Sequence, residues 1–142
     1  MKTLQQILRG KPQGALSVSP DATVFDALGL MAEKEVGAVL VIEDGRLAGI
    51  FSERDYARKI ILHGKLSKET AVREIMTSKV VCVTPAQTVE ECLALMTDKR
   101  VRHLPVVEGE KVLGVISIGD AVKEVISEQR FIIEQLEHYI HQ

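Results

Sequence analysis

Two stretches of the chain carry the same order of apolar and polar positions. From Val24 the apolar residues recur at Leu28, Met31 and Ala32, and from Val89 they recur at Leu93 and Met96, followed by Thr97. That spacing turns one side of a helix towards a core. Thr23-x-x-Asp26 and Thr88-x-x-Glu91 precede the two stretches, a capping-box pattern that satisfies the first N–H groups of a helix. A helix of about eleven residues is predicted after each threonine.

Short apolar runs follow in pairs. Ala38 to Ile42 and Leu47 to Phe51 flank the turn Glu43-Asp44-Gly45-Arg46, and Leu104 to Val107 and Val112 to Ile116 flank Glu108-Gly109-Glu110-Lys111. Each pair predicts a β-hairpin. Both hairpins run directly into another helix, with Ser52 or Ser117 at its N-cap. The first of these helices should end near His63-Gly64. The second, from about Gly119 to His141, is longer and carries Val122, Val125, Ile126, Phe131, Ile133, Leu136 and Ile140. That apolar surface exceeds what one small domain covers. Between the copies, the polar connector 65–70 gives way to Val72, Ile75 and Met76, where helical spacing resumes.

Sliding the sequence on itself by 65 residues aligns Val18–Tyr56 with Val83–Ala121 without a gap, and 14 of the 39 pairs are identical. Chance would match roughly one pair in fifteen at ordinary composition, so the chain is an internal duplication. We divide it into residues 1–65 and 66–142, with repeat cores at 17–63 and 82–127. The fold class is α+β, each repeat being a β-α-β-β-α unit. A unit of about 60 residues buries only about 60% of its unfolded surface and would be marginal alone. The two are therefore expected to share a core and pack as a pseudo-twofold pair.

Composition narrows the function. With 46% apolar residues in 142, the chain can bury a core, but aromatics are only 4% and tryptophan is absent, which disfavours flat base-stacking platforms. A net charge of -2 provides no basic stripe for a nucleic-acid backbone. No run approaches the roughly 18 apolar residues of a membrane span, and the N-terminus lacks a signal-peptide core, so a cytoplasmic location is expected. Cys82 and Cys92 have no metal-binding spacing and read as small core residues. His138-x-x-His141 with Glu134 lies near the C-terminus, where such groups are usually solvated rather than metal ligands.

The candidate chemistry lies where each hairpin hands over to a helix. Gly49-Ile-Phe-Ser52-Glu-Arg-Asp55 and Gly114-Val-Ile-Ser117-Ile-Gly-Asp120 share the form G-h-h-S-x-x-D. A helix N-terminus with a serine hydroxyl suits a phosphate edge. An aspartate one turn in can accept two hydrogen bonds from vicinal hydroxyls, as acidic residues do for ribose in dinucleotide folds. A single S-x-x-D would be read as a helix cap alone; its recurrence after equivalent hairpins favours a site. A hydrolase is disfavoured, because both serines are placed as caps and only His103 is a nearby base.

These segments, together with V-S-P-D-A-T-V at 18–24, V-T-P-A-Q-T-V at 83–89 and R-H-L-P-V-V at 102–107, resemble the CBS domain family, named for cystathionine β-synthase. The resemblance covers nearly the whole chain. It implies a non-catalytic regulatory module whose paired repeats form clefts for AMP, ATP, NAD(H) or S-adenosylmethionine. It further implies that Asp55 and Asp120 hold ribose and that Ser52 and Ser117 approach phosphate. Backbone near Val18 or Val83, and near Val36 or Val101, would contact adenine. CBS pairs usually form flat homodimers, and a protein effector would read the ligand state. A dimerisation scaffold with vestigial clefts is the alternative.

The clefts are expected to differ. Gly37-Ala38 in the first copy correspond to Arg102-His103 in the second, and Glu53-Arg54 correspond to Ile118-Gly119. Arg54 and Arg58 lie four apart, a like-charge pair that a nearby phosphate would relieve.

Overall fold

The computed structural model describes residues 2–11 and 14–141. A short lead helix, α1 (Leu4–Arg9), precedes the first repeat. That repeat runs β1 (Ser17–Val18), α2 (Val24–Lys34), β2 (Ala38–Glu43), β3 (Arg46–Ser52) and α3 (Glu53–Asp55), which continues as a π-helix over Tyr56–Ile61. A second lead helix, α4 (Val72–Ile75), introduces α5 (Val89–Lys99), β4 (His103–Glu108), β5 (Lys111–Ser117) and α6 (Ile118–Ile140).

The duplication holds in detail. Thr23 Oγ1 accepts from the Asp26 amide at 3.1 Å and Thr88 Oγ1 from the Glu91 amide at 3.3 Å, starting α2 and α5. Both helices end in the left-handed region, at Glu35 (φ 54°) and Arg100 (φ 55°). The hairpins share one register, Ala38 opposite Ser52 and His103 opposite Ser117. β1 pairs in parallel with β2, Val18 opposite Val41, whereas its counterpart in the second repeat is a single bridge from Val83 to Val106.

The structure departs from the expected single shared core. It has two apolar clusters, each completed by the lead helix of the other half. Leu4 and Ile7 of α1 are buried with Val83, Val89, Cys92, Leu104 and Ile116 of the second repeat. Val72 and Ile75 of α4 are buried with Val24, Val39, Phe51 and Ile60 of the first. The backbone bonds match: Leu4 N–H to Gln87 O at 2.9 Å and Val72 N–H to Ala22 O at 2.8 Å. The physical reason is the one that made a lone repeat marginal, since each small sheet needs a further apolar helix over it. The exchange of lead helices supplies it.

Glycine is required where the lead segments cross the hairpins. A Cβ on Gly49 would lie 2.7 Å from the carbonyl oxygen of Thr77 and 2.8 Å from Met76 Sδ. A Cβ on Gly114 would meet Leu8 Cδ2 at 2.7 Å. The glycine of each G-h-h-S-x-x-D segment thus serves packing between the halves.

The helix after Ser52 is not a regular α-helix to His63. After one α-turn it widens to the π form, which seats Ile60 in the core and leaves Ile61 and Leu62 exposed. Arg54 and Arg58 therefore do not stack as a regular i,i+4 pair. Arg54 Nη1 instead donates to Arg100 O at 3.0 Å, while Arg58 is exposed. Cys92 is fully buried, and burial followed by the Asp120 charge pushes its thiol up to about 11.

Candidate ligand-binding site

A cleft of about 610 Å³ opens between the repeats. Ser117 and Asp120 reach it from the start of α6, Val36, Gly37 and Ala38 from the junction of α2 and β2, and His103 from β4. Leu16 and Lys11 line it from the segment leading into β1. The site thus combines an acidic helix start from one repeat with a strand edge from the other.

Ser117 caps α6 and positions Asp120. The Asp120 amide donates to Ser117 Oγ at 3.1 Å, and the Ser117 amide donates to Asp120 Oδ2 at 2.8 Å. Lys11 Nζ donates to the same Oδ2 at 2.8 Å and to Val115 O at 2.8 Å. Among the described residues Oδ1 accepts no hydrogen bond. Burial pushes this carboxyl up, but the bonds from Lys11 and Ser117 outweigh it and hold it below its ordinary value. Asp120 is therefore an ionised acceptor at neutral pH.

His103 closes one wall, its ring 3.4 Å from where a Cβ on Gly37 would stand. Burial lowers its pKa; the charges of Asp120 and Glu53 oppose this, and those of Lys11 and Arg102 add to it. The imidazole is neutral at pH 7, with one donor and one acceptor nitrogen. With the apolar surfaces of Leu16, Val36 and Ala38, the cleft offers what a sugar diol and a flat ring require, and its size lies in the usual range for small-molecule sites.

The first repeat arranges the same motif differently. Asp55 is only 8% exposed. Its Oδ2 accepts from the Ser52 amide at 3.0 Å and from Ser52 Oγ at 3.1 Å. Oδ1 accepts from Thr77 Oγ1 at 3.1 Å and pairs with Lys59 Nζ at 3.2 Å. Thr77 also zips onto β3, with two backbone bonds to Ile50 of 3.0 and 2.9 Å. In the second repeat Val115 stands where Ile50 stands in the first, and it receives the Lys11 side chain instead of a backbone. One aspartate is sealed by main chain; the other faces a cleft.

A smaller cleft, about 300 Å³, is lined by Arg54, Arg100, Val101, Arg102 and Ile118, with no carboxylate among its lining residues. The structure thus brings Val36, His103, Ser117 and Asp120 together at one cleft and Arg54, Val101 and Arg102 at another. Ser52 and Asp55 bind each other, and Arg58 lines neither cleft. Val83 is buried in the second core and Val18 packs against the first. Lys11 and Leu16 escaped the sequence reading. Lys11 is 109 positions from Asp120, and no local spacing signals that meeting.

Fold and cleft define a paired-repeat module that can hold a small ligand between its halves. Residues 13–62 and 72–127 each match the CBS domain, and the chain belongs to the CBS domain family. Members of this family generally serve as regulatory modules for adenosine-containing ligands. The mitochondrial CBS domain-containing protein CBSX3 of Arabidopsis thaliana is 42% identical over 97% of this chain and 71% of its own length. A solved structure from Burkholderia ambifaria, described as a signal-transduction protein with CBS domains, is 52% identical. It superposes with a TM-score of 0.86 over 90% of this chain and 96% of that one. A hexameric CBS-CP12 protein from bloom-forming cyanobacteria is 33% identical, with a TM-score of 0.74 over 84% of this chain and 70% of its own. Among the described residues no helix is long and apolar enough to cross a membrane. A mitochondrial relative means that family membership does not carry the expectation of a cytoplasmic location.

Proposed function

We propose that this protein is a non-catalytic regulatory sensor that binds an adenine nucleotide, AMP, ATP or NAD(H), in the Asp120 cleft. The observation that carries this reading is the convergence of an ionised, partly exposed Asp120 from one repeat with the Val36–Ala38 edge of the other. The diol of the ribose binds Asp120, the adenine lies against Leu16, Val36 and Ala38, and the phosphate takes the start of α6 beside Ser117. A ligand held by both repeats binds best at one relative setting of the two, which is how occupancy becomes a signal for a protein effector.

The partner contact closest to hand is a second copy. Val122, Ile126, Ile133, Leu136 and Ile140 of α6 are all 43% or more exposed. With Gln129 they follow a 4-3-4-3-4 spacing, the seam of a two-helix coil. An antiparallel arrangement sets Ile126 of one copy against Leu136 of the other and Val122 against Ile140, and brings Lys123 near Glu137. The family resemblance to homodimers and the hexameric relative support association.

Calorimetric titration with AMP, ATP, NAD(H) and S-adenosylmethionine tests the sensor. We expect one adenine nucleotide to bind at one site per chain; silence across the panel would leave the dimerisation scaffold as the better reading.

A further inference from the structure

We infer that Lys11 is a tethered competitor for the ligand, occupying the carboxylate that a ribose diol needs and leaving it when the ligand binds. The inference rests on the reading of the Asp120 cleft as the nucleotide site. Its basis is the contrast between the two halves. At Asp55 the crossing segment is fixed by two backbone bonds between Thr77 and Ile50, and the aspartate is buried. At Asp120 the Lys11 ammonium bonds Asp120 Oδ2 and Val115 O, each at 2.8 Å, and the aspartate stays partly exposed at the cleft. The side chains of this ion pair retain 27% and 25% of their exposure, and a pair so open to water holds weakly and exchanges readily.

Lys11 also sits where its release has a structural effect. The chain before it, α1, is docked in the core of the second repeat, and the chain after it enters β1 in the sheet of the first. The same carboxylate is thus the receptor for the ligand and the anchor of Lys11.

The test is titration of adenosine and of AMP into the wild type, Lys11→Met and Lys11→Arg. Lys11→Met keeps the length of the side chain and removes the competing charge, so it should bind both compounds about two- to fivefold tighter, whereas Lys11→Arg should match the wild type. AMP added to the wild type should speed hydrogen exchange at the Gly10 and Lys11 amides. Weaker AMP binding by Lys11→Met with adenosine unchanged would make Lys11 a phosphate ligand and overturn the competitor role. Equal binding of both compounds by all three proteins would overturn it too. No binding of either compound by any of the three would overturn the nucleotide reading itself, a result distinct from the other two.

Discussion

Thr77 donates its hydroxyl to Asp55 Oδ1 at 3.1 Å, 22 residues along the chain, and this bond separates two aspartates that the sequence presents as equals. Asp55 has become part of the frame, while Asp120 remains at the surface of a cleft. Their substitutions should part accordingly. Asp55→Ala should cost about 1–3 kcal/mol of stability, because it strips a cap, leaves the Thr77 hydroxyl without its acceptor and removes the ion-pair partner of Lys59. Nucleotide affinity should stay within twofold once the protein is folded. Asp120→Ala should lower affinity by about tenfold or more, by loss of a charged acceptor, with a smaller effect on the urea midpoint. Paired titrations and denaturation curves decide it, and the reverse pattern would reassign the site.

The two hairpin glycines should also respond unequally. A methyl group on Gly49 meets a backbone oxygen, Thr77 O, that cannot move without breaking the bond it accepts from the Ile50 amide, whereas on Gly114 it meets the end of a flexible leucine, Leu8. Gly49→Ala should cost about 1–3 kcal/mol and Gly114→Ala clearly less, as read from thermal or chemical unfolding.

Acid should destabilise the protein in two separate windows. His103 is held below its ordinary 6.5, so between 6.5 and its folded pKa the unfolded chain takes up a proton that the native state refuses, and stability falls as pH drops. Asp120 is held below 3.8; its contribution is full above that value and is lost as pH falls through the lower folded pKa. His103→Asn should flatten the loss just below pH 6.5. Lys11→Met should reduce the loss below pH 3.8. Urea midpoints collected across the pH range give both.

The seam of α6 predicts its own disruption. Leu136→Glu or Ile133→Glu puts a charge into the antiparallel contact and should convert a dimer into a monomer, while circular dichroism and nucleotide binding stay as they were. Light scattering on the eluting peak measures the mass. A wild type that is monomeric at high micromolar concentration would refute the seam.

Much of this was legible in the sequence because it is local. The threonine caps, the hairpins and the serine-aspartate turns each depend on residues within four positions of one another, and the repeat doubled every such signal. The inequality of the clefts was also visible, through the exchange of Gly37-Ala38 for Arg102-His103. What made one cleft open and the other closed was not. Thr77 and Lys11 lie outside the aligned repeats, and their partners Asp55 and Asp120 are 22 and 109 positions away. The second lead helix was marked by the spacing of Val72, Ile75 and Met76 while the first went unread, and periodicity marks an apolar face without naming the surface it meets. The π form after Asp55 likewise has no signature in the spacing of Tyr56, Ile60 and Ile61.

The crossing of the lead helices also sets a timetable for synthesis. The core of the first repeat waits for Val72 and Ile75, so it can close once the connector has left the ribosome. The core of the second repeat needs Leu4 and Ile7, which are made before the first repeat and must remain without their partners until Val83, Leu104 and Ile116 have followed. Leu4 and Ile7 are thus made before the first repeat and buried after it.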